Sequence, residues 1–120
     1  MEKKYILLAD DDRELCEELT GALEESGYRV CCVYTGEEAV EKARQEDFDV
    51  ALTDLKMPGI GGLEASKQIR KIKPHLPIIM ITGSLSSQSR KLMEENGARH
   101  ILYKPFGRKD IVEVIERILN

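Results

Sequence analysis

Short apolar runs alternate with longer amphipathic stretches along the chain. The runs fall at Tyr5–Ala9, Val30–Tyr34, Val50–Thr53, Ile78–Thr82 and Ile101–Tyr103, and most are rich in β-branched residues. Several are apolar throughout, the pattern of strands covered on both faces in a parallel sheet. Val30–Tyr34 is less clear-cut and is the candidate for an edge strand. Between the runs, apolar residues recur at helical spacing. Leu15, Cys16, Leu19, Ala22 and Leu23 make one stripe, and Ile111, Val112, Ile115, Ile118 and Leu119 make another. Ala39, Val40 and Ala43 repeat the pattern weakly, as do Leu63, Ile69 and Ile72. The stretch from Ser87 to Asn96 has only Leu92 and Met93 clearly apolar, which predicts a loosely held helix.

The punctuation agrees with this alternation. Asp12 can cap the first helix by accepting a backbone N–H. Gly27 and Gly97 stand where left-handed helix ends are expected. Met57-Pro58-Gly59 is a turn signal. There is no repeat, low-complexity tract or internal linker, and 120 residues suit one domain spanning 1–120. The pattern predicts five βα units in an α/β three-layer sandwich. Right-handed crossovers then bring the loops that follow the strands to one edge of the sheet.

Composition narrows the function classes. Eighteen basic residues against 22 acidic ones give a net charge of -4, which argues against a nucleic-acid-binding surface spread over the domain. Cys16, Cys31 and Cys32 are an odd set with two adjacent members and no CxxC pair. They read as small apolar residues in a reducing compartment, not as a disulfide framework or a zinc site. The N-terminus resembles neither a signal peptide nor an anchor, and no apolar run reaches bilayer-spanning length. The expectation is a soluble, cytoplasmic protein with no membrane partner.

The chemistry sits after the strands. Asp10-Asp11-Asp12 follows the first, Asp54 ends the third, Thr82 ends the fourth before Gly83 and Ser84, and Lys104-Pro105 follows the fifth. In an open α/β sheet, ligands bind outside the carboxyl ends of the strands. Carboxylates converging there repel one another and call for a cation. An all-oxygen set selects a hard ion such as Mg²⁺ or Mn²⁺. A lysine supplies a point charge for a phosphate oxygen, and a threonine hydroxyl can donate to another. A central carboxylate can act as nucleophile and form an aspartyl phosphate, with positioning and electrostatics doing most of the catalysis.

Four motifs, in order and each at a strand end, carry a family resemblance: Leu8-Ala9-Asp10-Asp11-Asp12, Leu52-Thr53-Asp54-Leu55-Lys56-Met57-Pro58-Gly59, Ile81-Thr82-Gly83 and Tyr103-Lys104-Pro105-Phe106. Over essentially its whole length the chain resembles the receiver domains of bacterial response regulators. The resemblance implies a flavodoxin-like fold with a parallel five-stranded sheet of order 2-1-3-4-5. It makes Asp54 the phosphoacceptor, and Asp10 and Asp11 the acidic pair, with Asp11 the expected direct metal ligand. Asp54 and the backbone carbonyl of Lys56 would complete the ligand set. Lys104, in a cis peptide with Pro105, would hold the phosphoryl group, and Thr82 would be the switch residue. Lys56 and Ser84 occupy positions that tune phosphoryl loss in the family. The implied partners are a sensor histidine kinase or histidine phosphotransfer protein, and a downstream output domain or protein. The output partner would meet the face of the fourth helix, fifth strand and fifth helix. A phosphorylation-linked dimer is compatible with this reading. Such a domain signals; it is not an enzyme beyond assisting its own phosphorylation and dephosphorylation.

The sequence departs from the family pattern in two places. Gly61 stands before Gly62 where many receivers carry an acid, which loosens the expected start of the third helix. Ile101 stands where an aromatic switch residue is common, and the aromatic is Tyr103.

Blander readings and rivals remain for particular residues. Asp12 reads as a cap only, His75 and His100 as structural, and Arg13–Glu18 as a solvated helix face. Lys104 is expected to matter for phosphoryl transfer more than for folding. A flavin module would need a Ser/Thr/Gly-rich loop after the first strand, and a nicotinamide binder GxGxxG; the loop here is acidic. An aspartate-nucleophile phosphatase would have an acid two residues after Asp54, where Lys56 stands. A metal-free docking module is the remaining rival.

Overall fold

Strands and helices alternate without interruption in the computed structural model, which describes residues 2–83 and 86–120, the side chains of 87–89 excepted. The order is β1 (Tyr5–Ala9), α1 (Arg13–Glu25), β2 (Arg29–Val33), α2 (Gly36–Gln45), β3 (Val50–Asp54), α3 (Gly61–Ile72), β4 (Ile78–Thr82), α4 (Ser87–Glu95), β5 (Ala98–Tyr103) and α5 (Arg108–Leu119). All strand pairs are parallel, and the sheet order is β2-β1-β3-β4-β5. β3 and β4 are buried at every position, as their unbroken apolar runs require. β2 lies at one edge, with Arg29 exposed. The strand order reverses between β1 and β3, so a crevice opens at their carboxyl ends.

Local signals fix the helix ends. Asp12 Oδ1 accepts the Leu15 amide at 3.1 Å and caps α1. At the other end Gly27 takes φ 95°, and the Tyr28 amide returns to the Leu23 carbonyl at 3.0 Å. Gly97 closes α4 in the same left-handed region, with φ 85°. Thr35 caps α2 by accepting the Glu38 amide at 3.1 Å, while Glu38 Oε1 accepts the Tyr34 amide. Among the described residues, no helix is long and apolar enough to cross a membrane.

The sheet separates two apolar layers, because successive strand side chains point to opposite faces. Ile6, Leu8, Leu52, Ile79 and Ile81 pack with Leu19 and Leu23 of α1 and Ile111 and Ile115 of α5. Leu7, Ala9, Ala51 and Met80 pack with Ala39, Val40 and Ala43 of α2 and Ala65 and Ile69 of α3. Most of the predicted stripes are buried, and Val114 joins the α5 stripe.

Two elements differ from expectation. The buried face of α3 is Gly62, Ala65, Ser66 and Ile69, with Leu63 and Ile72 only half-buried. This helix lies close to the sheet on small residues. Ser66 is admitted because its hydroxyl donates to the Gly62 carbonyl at 2.9 Å and lies 3.2 Å from Thr53 Oγ1. β5 begins at Ala98, three residues before its predicted start, because Arg99 and His100 interrupt the apolar run on an edge strand. In α4, Met93 is buried and Leu92 is exposed.

Candidate functional site

Asp10 leaves β1 into the crevice. Its amide bonds to the Val33 carbonyl at 3.1 Å, and its Oδ1 accepts the Asp12 amide at 3.0 Å, so backbone holds the carboxylate on two sides. Asp54 is the last residue of β3 and only 6% exposed. Its Oδ1 accepts the Lys56 amide at 3.3 Å, and its Oδ2 accepts Lys104 Nζ at 3.1 Å. Asp10 Oδ2 lies 3.0 Å from the same ammonium but out of line for a hydrogen bond, so this buried oxygen has no hydrogen-bond partner. Asp11 is exposed at the mouth. One carboxylate oxygen from each of Asp10, Asp11 and Asp54 lies within 4.8 Å of the others.

Lys104 is aimed by β5 and β4 together. Its amide donates to the Thr82 carbonyl at 2.8 Å, and Tyr103 stands opposite Thr82 in the register. Lys104-Pro105 is cis, as the resemblance implied. Thr82 itself is buried at the end of β4. Asp54, Asp10, Asp11 and Lys104 are therefore neighbours, Lys56 joins them through its amide, and Thr82 is tied to them through backbone. Asp12 serves as the α1 cap. His75 is exposed beside a cleft lined also by Asp47, Phe48 and Lys73, below the amino ends of the strands. His100 is half-buried on β5. Ser84 lies outside the described residues.

Charge and burial oppose each other here. The Asp54 carboxyl is raised above the ordinary carboxylate range, first by burial and then by the charge of Asp10; Lys104 and the Lys56 amide pull the other way. Burial works to lower the Lys104 ammonium, but its contacts with Asp10 and Asp54 outweigh that and raise it. A single lysine shared by two buried carboxylates leaves the cluster short of positive charge. An all-oxygen donor set of three carboxylates, two of them buried and sharing one ammonium, suits a hard divalent cation.

Besides its expected part in phosphoryl transfer, Lys104 has a contact that bears on stability, because its ammonium bridges two buried carboxylates. Lys104→Met, which keeps much of the stem's volume, should lower metal-free stability by on the order of 2 kcal/mol. Added Mg²⁺ should restore more stability to this variant than to the native protein. Urea melts with and without chelator measure both, and an unchanged metal-free midpoint would show that the bridge carries no stabilisation.

Gly62 escaped notice as a site residue. A Cβ on it would fall 1.7 Å from the Asp54 carbonyl oxygen and 2.7 Å from its carbon. α3 can therefore seat against the phosphoacceptor candidate only without a side chain there. Gly61 precedes it at φ 81°, and the Gly62 amide bonds to the Leu55 carbonyl at 3.0 Å. The start of α3 has no side-chain cap, as expected from the missing acid, but Glu37 Oε1 accepts the Ile60 amide at 3.2 Å and ties the loop to α2.

Comparison with known proteins agrees with this geometry. The chain is 36% identical over 116 residues to the response regulator receiver protein CpdR of Brucella abortus, covering 97% of each. Its structure resembles a CheY-like response regulator receiver domain protein from Methanospirillum hungatei, with TM-score 0.95, 32% identity and coverage of 98% of this chain and 94% of that one. It also resembles the receiver domain of the sensor histidine kinase PA1611 from Pseudomonas aeruginosa, with TM-score 0.91, 28% identity and 98% coverage of both. In that protein a magnesium ion is coordinated in the active-site cleft. The family model for the response regulator receiver domain matches residues 6–116, which takes in every strand end described above, and the chain belongs to that family.

Proposed function

We propose that this two-component receiver domain, spanning 1–120, accepts a phosphoryl group on Asp54 in a Mg²⁺-dependent reaction. The observation that supports it best is the buried Asp54 carboxylate at a strand end, 3.1 Å from Lys104 Nζ and clustered with Asp10 and Asp11. The donor is a phosphohistidine on a sensor histidine kinase or histidine phosphotransfer protein in the cytoplasm. An Asp54 carboxylate oxygen forms the new P–O bond as the donor's N–P bond breaks, and the released imidazole takes a proton from solvent.

Asp10, Asp11, Asp54 and the Lys56 carbonyl would hold Mg²⁺ or Mn²⁺, which when bound supplies positive charge to the phosphoryl oxygens. Burial and Asp10 favour the protonated, unreactive form of Asp54, so the cluster needs cationic charge to keep its nucleophile ionised. Lys104 pairs with Asp54 before transfer and with a phosphoryl oxygen after it. Thr82 donates its hydroxyl to another phosphoryl oxygen. The domain signals and assists its own phosphorylation; it turns over no separate substrate. Incubation with acetyl phosphate tests the reading by intact mass. One phosphoryl group should add with Mg²⁺ and none with chelator, and no gain in either case would leave the metal-free docking role in its place.

The output surface is the face of α4, β5 and α5, and a dimer formed through it on phosphorylation is one output this allows. Leu92 on α4 is 42% exposed, the large apolar side chain left open among the described residues. The Thr82–Lys104 backbone bond links the site directly to β5. A weakly anchored helix costs least to shift, so phosphorylation biases a two-state element already present. Amide exchange should change most between Gly83 and Phe106 on phosphorylation; changes confined to α1 and α2 would refute this route.

A further inference from the structure

The three cysteines do not behave alike. Cys31 and Cys32 are adjacent in sequence but belong to opposite faces of β2: Cys31 packs with the α2/α3 layer and Cys32 with the α1/α5 layer. The sheet thus divides the neighbours and brings together a pair 16 residues apart. Cys32 Sγ lies 3.0 Å from Thr20 Oγ1 and 4.0 Å from the Cys16 carbonyl oxygen, so the two cysteines are neighbours across the α1–β2 contact. Cys16 is fully buried on α1, with its Sγ also 3.3 Å from the Asp10 carbonyl oxygen. Cys32 is half-buried on an edge strand, within reach of a small solute.

We propose that Cys16 and Cys32 form a redox-active dithiol, oxidised by hydrogen peroxide to an intramolecular disulfide that pins α1 to β2. The approach of Cys32 Sγ to within 4.0 Å of the Cys16 carbonyl oxygen puts the two residues side by side, as a bridge of narrow geometric tolerance demands. Cys32 is the attacking sulfur, because it is the more accessible of the two. The neighbouring Cys16, with help from Thr20, lowers the Cys32 thiol to about 6 against burial, which favours the thiolate. That thiolate attacks one peroxide oxygen, the O–O bond breaks, and the departing hydroxide takes up a proton to become water. Cys32 is then a sulfenic acid. Cys16 sulfur attacks the Cys32 sulfur, the S–O bond breaks, and the leaving hydroxide takes the Cys16 proton as a second water. Two thiols lose two electrons in all, and the peroxide gains them.

The test treats the native full chain with hydrogen peroxide, quenches it, denatures it, alkylates the free thiols and maps the peptides. The protein should lose two hydrogen atoms in mass, keep one alkylatable thiol of its three, and show the Cys16 and Cys32 peptides joined until dithiothreitol is added. Cys31→Ser should form the same bridge at the native rate. Cys16→Ser, if folded by circular dichroism, should instead trap Cys32 sulfenic acid with a dione probe. If that variant does not fold, the native chain and Cys31→Ser decide. Three alkylatable thiols after treatment, a link that includes Cys31, or sulfonic acid at Cys32 of the native chain without a bridge would each overturn the proposal.

Discussion

Asp54→Asn should abolish phosphorylation by acetyl phosphate and, in the absence of Mg²⁺, raise the melting temperature. Burial and the Asp10 charge lift the Asp54 carboxyl above its ordinary value of 3.8, so the folded state binds that proton more tightly than the unfolded chain does. Such a group stabilises the fold below the unfolded value, and the contribution is lost as pH rises through the raised folded value. At neutral pH and without metal, the ionised carboxylate is therefore a net burden. Asparagine keeps the shape and removes the charge. Relief of about 1 kcal/mol would move the melting point by roughly 4 °C for a domain of this size. The advantage of the variant should vanish below about pH 4, where the native carboxyl is protonated in both states.

Metal adds the opposite sign. A cation that binds only the folded form stabilises it by RT ln(1 + [L]/Kd), roughly 1.4 kcal/mol at ten times the dissociation constant. Asp54→Asn loses a ligand, so its Mg²⁺ shift should be smaller than that of the native protein. The gain without metal and the weaker response to metal share one cause and must appear together. Thermal melts of both proteins at fixed ionic strength measure them. A native protein that melts at the same temperature with and without Mg²⁺ would rule out the metal site, and phosphate gain by Asp54→Asn at the native rate would rule out the acceptor.

Gly62→Ala should be the most damaging single-methyl change at the site. The added carbon meets backbone: 1.7 Å to the Asp54 oxygen, 2.7 Å to its carbon and 3.0 Å to Leu55 Cα. No rotamer relieves that contact, so α3 must lift or the end of β3 must move. Overpacking of this kind costs about 3 kcal/mol or more. Either movement displaces the Asp54 carboxylate from Lys104, and a misplacement of about 1 Å slows a positioned reaction roughly 100-fold. Gly21→Ala gives the control with opposite sign. Its Cβ meets only Arg108 Nη2 at 3.8 Å, and it lies inside α1, so alanine should stabilise by about 0.5–1 kcal/mol. Urea melts and acetyl phosphate rates compare the pair. Native stability in Gly62→Ala would show that the close approach is not needed.

Much of this was legible in the sequence. The five strands and the stripes of α1 and α5 were visible because large apolar residues mark them at the right period, while α2 showed only weakly through Ala39, Val40 and Ala43. Asp10, Asp11, Asp54 and Lys104 were visible because each stands just past or at the end of such a run. α3 was misjudged in part because it approaches the sheet on Gly62, Ala65 and Ser66, and a hydrophobic period is blind to small residues. The first residues of β5 were hidden by Arg99 and His100, whose polarity is allowed only on an edge. The bridging of Asp10 and Asp54 by Lys104, and the contact of Cys16 with Cys32, depend on how helices and loops sit over the sheet. Spacing along the chain does not encode that.

The helices on the two sides of the sheet meet it through residues of different size. α1 and α5 bring Leu19, Leu23, Ile111 and Ile115; α2 and α3 come close mainly on Ala39, Ala43, Gly62 and Ala65. A cavity is the hazard on the first side, where Leu or Ile to Ala costs about 2–5 kcal/mol. Crowding is the hazard on the second, where an added branch costs about 1–3 kcal/mol. A deep substitution scan should therefore show mirror-image intolerance, with one face rejecting smaller residues and the other rejecting larger ones. Descendants of this chain would drift in volume in opposite directions on its two faces, and a graft that exchanged α1 with α2 would fit neither.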